Sequence, residues 1–444
     1  MSLALFSGLV LQVVALLIVI ARVRGRWFTH LGALFVIVAC VYHGLAEVLE
    51  ALFPGHNDYR LMVTRDALDA WVAMVGIGIL VFALTYSLCL RTGRSQKTDG
   101  PELRVLPDWR LLLILTIPGY LLAISDSGGL SNYWVVGLSN EFTSVITLLT
   151  GLAYLCSSQL SRRRLILVLV AQSLALMLLG ERSAVLFSDI VTLCMAARWG
   201  IRVRWARLLP LGILVALLLV TISATRVVTQ NHNLTGTASD RLSSLTEGFG
   251  SLVGLSPNSS AVYEGIVDDF AYRVDGNSFG AMLYTRQSDG WAPAGFGPLG
   301  SDLRLIVPSF LNPNKLGGDS STVEEKASLV AHYGLQEGID YIITTLTVVY
   351  GCFGATGLFL GAALLGVFFA AADRWLANRY TLSAALIGIS AVTCIVTIEQ
   401  GLRVYFVTAR GLLVLLALVR IAQLIGMQQK HGGERADGAF RVRG

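Results

Sequence analysis

Residues 2–21 read SLALFSGLVLQVVALLIVIA, and Arg22, Arg24 and Arg26 follow directly. A bilayer span needs about 20 mostly apolar residues, and this stretch supplies them. A secretory signal carries its basic charge before the apolar run. Here the charge comes after it, so the stretch reads as a retained first span. The pattern recurs at 28–47, 67–90, 111–125, 141–160, 165–180, 184–199, 208–226, 341–372, 382–399 and 403–425, which makes eleven candidate spans. The sixth and seventh form a tight hairpin through Gly180, Glu181 and Arg182. The ninth is long and interrupted by Gly351, Gly354, Gly357 and Gly361.

The composition agrees. Of 444 residues, 54% are apolar and 14% charged, the formal charge is +5, and the mean hydropathy is +0.66. A soluble domain carries roughly 25% charged residues. This balance excludes a cytosolic enzyme, a disordered chain and a nucleic-acid binder, and leaves an all-α polytopic membrane protein. The six cysteines (Cys40, Cys89, Cys156, Cys194, Cys352 and Cys394) all lie inside apolar runs. They read as small buried hydrophobes rather than as a disulfide framework.

Lys and Arg set the orientation. Alternate connections hold 22 of them, from Arg22, Arg24 and Arg26 to the C-terminal tail, while the short connections on the other side hold only Arg60, Arg65, Arg182 and Arg403. The expected topology puts the N-terminus outside and the C-terminus in the cytoplasm. The chain then divides into a membrane domain at 1–226 (spans one to eight), a large outer loop at 227–340, a second membrane part at 341–427 (spans nine to eleven) and a disordered cytoplasmic tail at 428–444. The loop has 114 residues, with 13 acidic against six basic. Long loops are usually functional. Short amphipathic helices are expected at 238–254, 259–272 and 322–337.

Arginines on the outer side run against the positive-inside bias and call for a reason. Arg182 ends span six, Arg226 closes span eight, and Arg403 opens span eleven opposite Glu399. Arg410 lies seven residues on, nearly two turns and so on nearly the same face. Arg presents a rigid, permanently charged fork that matches phosphate oxygens. Several converging at one leaflet suit a lipid-linked pyrophosphate. The alternative is structural pairing of Arg182 with Glu181, of Arg403 with Glu399, and of Arg410 with a buried acid such as Asp189.

The loop adds Tyr272-Arg273-Val274-Asp275-Gly276-Asn277 and Arg286-Gln287-Ser288-Asp289-Gly290-Trp291. Asp, Asn and an aromatic ring are what a sugar site uses, although they also suit a solvated surface with local turns. Near the loop's end stand His332 and Glu337. A sugar hydroxyl attacking an anomeric carbon needs a general base, and either residue can serve. The other histidines are scattered, with no HxxxH or HExxH. No Asp-x-Asp, Walker loop or GxGxxG faces the cytoplasm. Neither a nucleotide, a catalytic metal nor any other cofactor is expected.

Taken together, the pattern resembles the Wzy-type polymerases of bacterial O-antigen and exopolysaccharide repeat units, which are related to the O-antigen ligases. Gly180-Glu181-Arg182-Ser183 is similar to that family's Gly-x-Arg-Ser/Gly after a span. Pro308-Ser309-Phe310-Leu311-Asn312-Pro313-Asn314-Lys315 resembles its Pro-Arg-x-x-x-Pro-x-Lys-Pro segment. Tyr350-Gly351-Cys352-Phe353-Gly354-Ala355-Thr356-Gly357 resembles Tyr-x-x-Phe-Gly-x-x-Gly at membrane re-entry. Arg286 and Gly297 also fit an Arg-x10-Gly spacing. The likeness covers residues 165–425. It departs at Ser309 and Leu316, which stand where the family has Arg and Pro, and at Thr347-Val348-Val349, where many members carry a Glu.

The resemblance implies a GT-C-like glycosyltransferase of the bacterial inner membrane. Its donor would be a growing glycan on undecaprenyl pyrophosphate, and its acceptor a lipid-linked repeat unit. Transfer would be to the acceptor's non-reducing end. Arg182, Arg226, Arg273, Arg286, Lys315, Arg403 and Arg410 would bind the pyrophosphate and substrate, His332 or Glu337 would take the proton, and no metal would be needed. A chain-length regulator would be a further partner, beside membrane lipid. The rivals are an O-antigen ligase-like enzyme, with the same donor and a lipid-core acceptor, and a polysaccharide or lipid-linked oligosaccharide transporter.

Overall fold

The computed structural model describes residues 2–24, 26–55, 57–90, 146–155, 162–178, 182–198, 259–306, 325–337, 339, 341–377 and 382–413. Isolated helical positions are also described at 113–114, 117, 213, 217, 220–221, 223–224, 246, 248–250, 416–417 and 420. Among these residues the chain is almost entirely helical. It has no strand, only a single parallel bridge between Ile343 and Gln400. Four helices are long and apolar enough to cross a membrane: α1 (Leu3–Arg22), α2 (Leu31–Leu52), α3 (Arg65–Cys89) and, later in the chain, Thr345–Leu376. The protein is an α-helical membrane protein.

Shorter helices come between these and after them. They are α4 (Ile146–Leu155), α5 (Arg162–Leu178), α6 (Arg182–Arg198), α7 (Ser259–Arg273), α8 (Asn277–Ser288), α9 (Gly297–Ile306), α10 (Glu325–His332), α12 (Leu382–Val396) and α13 (403–413), the long Thr345–Leu376 being α11. Five expected spans are thus seen as the shorter helices α4, α5, α6, α12 and α13. Apart from the isolated helical positions given above, the spans expected at 111–125 and 208–226, the loop helix at 238–254 and the tail fall outside the described residues. The loop helices expected at 259–272 and 322–337 correspond to α7 and α10, while α8 and α9 were not expected.

Local chemistry sets the helix starts. Ser2 Oγ accepts from Leu5 N at 3.1 Å ahead of α1, and Thr64 Oγ1 from Ala67 N at 3.4 Å ahead of α3. Such side-chain acceptors satisfy backbone donors that have no partner within the helix. Before α11, Thr344 and Thr347 cap each other reciprocally. Helix α2 has no local side-chain cap. Asp373 of α11 serves instead, accepting from Leu31 N at 3.0 Å and Gly32 N at 3.4 Å.

Helices α1 and α3 run parallel and very close. A Cβ on Gly76 would stand 2.6 Å from Gly8 O, so only glycine allows this approach. Helix α2 runs antiparallel to α3 and α11 parallel to it. Trp71, Val75, Ile79, Phe82 and Tyr86 line the buried face of α3. Phe35, Phe82 and Phe369 meet between α2, α3 and α11, with ring centroids 4.4 Å (Phe35–Phe82), 5.5 Å (Phe35–Phe369) and 5.9 Å (Phe82–Phe369) apart.

The bundle therefore has two distinct ends. Arg22, whose Nη2 donates to Leu90 O at 2.6 Å, lies at one end with Arg198 and Asp373. Arg60, helices α7 to α10 and the 397–403 turn lie at the other. Arg22 and Arg198, which the Lys and Arg bias assigns to one side, thus share one end, and Arg60, assigned to the other side, lies at the opposite one.

Part of the 259–339 segment belongs to the core. In α8, Asn277, Phe279, Ala281 and Leu283 are buried, and Phe279 packs on Tyr341 at 5.1 Å. A π-turn at Val41–Leu45 in α2 receives it. Such a turn interrupts the regular backbone ladder and is frequent at functional positions. Here Tyr42 O accepts from Gly276 N at 3.0 Å and His43 O from Asn277 Nδ2 at 2.9 Å.

Candidate functional site

The long helix α11 breaks at Gly354, where φ is +67° and ψ is −162°, a region open in practice only to glycine. The carbonyls of the preceding turn are bound by the loop. Tyr350 O accepts from Gln287 Nε2 at 3.2 Å. Gly351 O accepts from Tyr333 OH at 2.7 Å and Ala294 N at 3.0 Å. Cys352 O accepts from Gly295 N at 2.7 Å. The sequence showed four glycines here, and only Gly354 takes a positive φ. Burial pushes the Tyr333 phenol above its ordinary value, so it remains a donor.

His332 and Arg286 both anchor on backbone carbonyls beside this junction. His332 closes α10, is exposed, and its Nε2 lies 2.9 Å from Ala292 O. A carbonyl only accepts, so Nε2 carries a proton, and in the neutral imidazole the lone pair is on Nδ1. Arg286 Nη2 donates to Gly334 O at 3.3 Å, and its guanidinium stands 5.8 Å from the centroid of the Trp291 ring. Trp291 is 42% exposed. A basic nitrogen, a cation and an open aromatic face thus share one surface at the membrane entry, with Glu337 exposed just beyond.

A second cluster forms where α2, α7 and the 397–403 turn meet. Tyr42 OH donates to Glu399 Oε2 at 3.0 Å, and the charges of Glu399 and Arg273 both act on that hydroxyl. Arg273 pairs with Asp269 one turn back at 3.7 Å and lies over the Tyr272 ring. The 397–403 turn joins the two clusters, because Glu325 at the start of α10 holds the backbone of Leu402 and Arg403. Arg403 and Arg410 are half-buried. Arg182 opens α6, with its side chain outside the description. Arg226 and Lys315 fall outside the described residues.

Asp275 and Asn277, read from the sequence as sugar contacts, are buried and fully engaged. Arg60 binds Glu47 through two nitrogens, at 2.8 and 3.1 Å, and Asp275 through Nε at 3.2 Å. Asp275 also accepts from Asn57 Nδ2 at 2.6 Å and from the N–H groups of Asn277 and Ser278 at 2.9 and 3.2 Å, which caps α8. The Asn277 amide reaches Glu47 at 2.8 Å and His43 Nδ1 at 2.8 Å, and His43 Nε2 continues to Thr344 Oγ1 at 3.2 Å. This network joins α2, the turn before α3, α8 and the start of α11. Sequence reading did not connect its members, because His43 and Glu47 sit in or beside an apolar run and Asn277, which both of them bind, lies more than 200 residues away.

Asp302 of α9 and Glu325 of α10 form a buried acid pair, 1% and 0% exposed. Burial first, and then the Asp302 charge, push the Glu325 carboxyl from 4.5 to about 8, against the pull of the Leu402 and Arg403 N–H groups. Two carboxyls this close do not both ionise at neutral pH. Between pH 4.5 and about 8 the folded state binds more protons than the unfolded chain, so stability falls as pH rises through that window. Thermal unfolding of the detergent-solubilised protein should show this slope, and Glu325→Gln should flatten it. An unchanged slope would place the proton elsewhere.

Among the described residues no group of three His, Cys, Asp or Glu side chains is arranged to hold a metal ion. In comparisons with protein-family models, curated proteins and solved structures, nothing matches the chain.

Proposed function

We propose that the protein is a polysaccharide polymerase with eleven spans and a GT-C-like fold, set in the bacterial inner membrane with its N-terminus outside. It transfers a glycan from undecaprenyl pyrophosphate to the non-reducing end of a lipid-linked repeat unit at the outer face. The observation that carries this reading is the junction at Gly354. There, an exposed His332 with its proton fixed on Nε2 stands beside Arg286 and Trp291, at the same end of the bundle as Arg273 and Arg403.

In this reading the acceptor hydroxyl oxygen forms a bond to the anomeric carbon as the bond from that carbon to the pyrophosphate oxygen breaks. The hydroxyl proton passes to His332 Nδ1, with Glu337 as the other candidate base. The electron pair leaves with the pyrophosphate, whose charge is met by arginines. Preorganised charge of this kind is usually the largest catalytic contribution. Trp291 offers a face for a sugar ring. Arg182, Arg226, Lys315 and Arg410 remain proposed ligands for the same substrate. Membrane lipid and a chain-length regulator are its other proposed partners.

The test is glycan length in a deletion strain carrying wild type, Arg273→Ala or His332→Ala, resolved by gel. Collapse from a ladder to one repeat unit in the deletion and the variants is expected, with the His332→Ala rate down by about 10²- to 10⁴-fold. Full-length glycan left on undecaprenyl pyrophosphate would identify a ligase. An unchanged ladder in the deletion strain would overturn both readings and favour the transporter.

A further inference from the structure

The turn that leads into Arg403 is pinned from three directions. Glu325 Oε2 accepts from Leu402 N and Arg403 N, each at 3.0 Å. Thr345 Oγ1 at the start of α11 donates to Gly401 O at 3.2 Å, and Gln400 bridges to Ile343. Gly401 has φ +67°, and a Cβ there would stand 2.7 Å from Glu325 Oε2, so the carboxyl group lies flush against the turn.

Glu325 opens α10 and His332 closes it. Seven residues are nearly two turns, so the two side chains share a face, with their backbones about 10 Å apart. At one end this short helix grips the Arg403 turn. At the other, His332 is anchored on Ala292 O. Leu329 and Val330 between them are buried, which seats the helix on the bundle. Asp302 of α9 backs the Glu325 carboxyl, and Cys352 of α11 lies within electrostatic reach of both acids.

We infer that Glu325 is a positioning residue: through α10 it holds the Arg403 turn at a fixed distance from His332, so that a pyrophosphate bound at Arg403 presents its sugar to the base. This inference rests on the proposed function. Glu325 is buried and touches no substrate. Its effect must therefore pass through Arg403, and that separates it from a residue that only stabilises the fold.

Binding of undecaprenyl pyrophosphate to the full-length protein in nanodiscs tests it, with Glu325→Ala, Glu325→Gln, Arg403→Ala and the double variant Glu325→Ala/Arg403→Ala. Glu325→Ala and Arg403→Ala should each weaken binding by about tenfold or more, since in both the contact of Arg403 with a charged phosphate is at stake. The double variant should be no weaker than Arg403→Ala alone, because the two residues act as one unit. Glu325→Gln keeps an acceptor for the two N–H groups and should bind as wild type does.

Wild-type protein that ignores undecaprenyl pyrophosphate would overturn the proposed function, and the inference with it. Wild-type protein that binds, with Glu325→Ala binding equally well or with independent losses that multiply, would overturn the inference alone.

Discussion

Arg60→Ala should lower the stability of the protein by about 3–5 kcal/mol, the cost of breaking a buried ion pair by removing one partner. The Arg60 side chain is 8% exposed, and those of Glu47 and Asp275 are 2% each. Burial opposes the charge on Arg60. Asp275 and Glu47 outweigh that penalty and hold its guanidinium above its ordinary value. Without Arg60 two carboxylates face each other in a dry site. Asp275 is also the cap of α8, so the damage reaches the segment that docks on the π-turn. Chemical unfolding in mixed micelles would read the loss, and limited proteolysis would show whether residues 259–306 release first. A matched variant, Arg60→Met with Glu47→Gln and Asp275→Asn, removes the cation together with its two buried acids, leaves only the outer Glu50 at 3.8 Å from the site, and should recover part of the stability. Equal stability of wild type and Arg60→Ala would mean that the network is wet and screened.

The membrane helices were legible because hydropathy over about 20 residues is a local property. So was the sorting of the described connections to two ends of the bundle. Arg22 and Arg198 do stand at one end of the bundle, with Arg60 and Arg65 at the other. The break in α11 was legible as a run of glycines, although which one turns depends on where the loop docks. His332 and Arg286 were found from residue type alone, and each is held on a backbone carbonyl, Ala292 O and Gly334 O.

Pairings across the chain were not legible. Arg60 entered the sequence reading only as a charge to be counted, and Glu325 only as one loop acid among 13. Asp275 and Asn277 looked like sugar contacts, because polar residues in a polar loop carry no mark of burial. What hides them is the π-turn in α2. It offers two backbone carbonyls to residues 276 and 277, and no pattern in residues 41–45 announces it.

Asp373→Ala should be as costly as Arg60→Ala, about 3–5 kcal/mol, and should act at the opposite end of the bundle. Its side chain is 1% exposed and accepts from Arg198 Nη2 at 3.1 Å, Tyr86 OH at 2.8 Å, Leu31 N and Gly32 N. Removing it strands a cation, a phenol and the first two N–H groups of α2 together. Tyr86→Phe removes one of the four donors and leaves the carboxylate satisfied, so it should cost only about 0.5–1.5 kcal/mol. Asp373→Asn keeps the volume but turns an amide N–H₂ toward donors, and should fall nearer to alanine than to wild type. The double variant Arg60→Ala/Asp373→Ala, measured in the same micelles, decides how the bundle is built. Along α2 the two centres attach at Leu31 and at Glu47, about 24 Å apart, beyond the range at which sites usually couple. Losses that add would mean that each ionic centre fastens its own end. A double variant no worse than either single one would mean that α2 releases as a unit once one end is free, so that the segment carrying His332 depends on a carboxylate at the far end of the bundle.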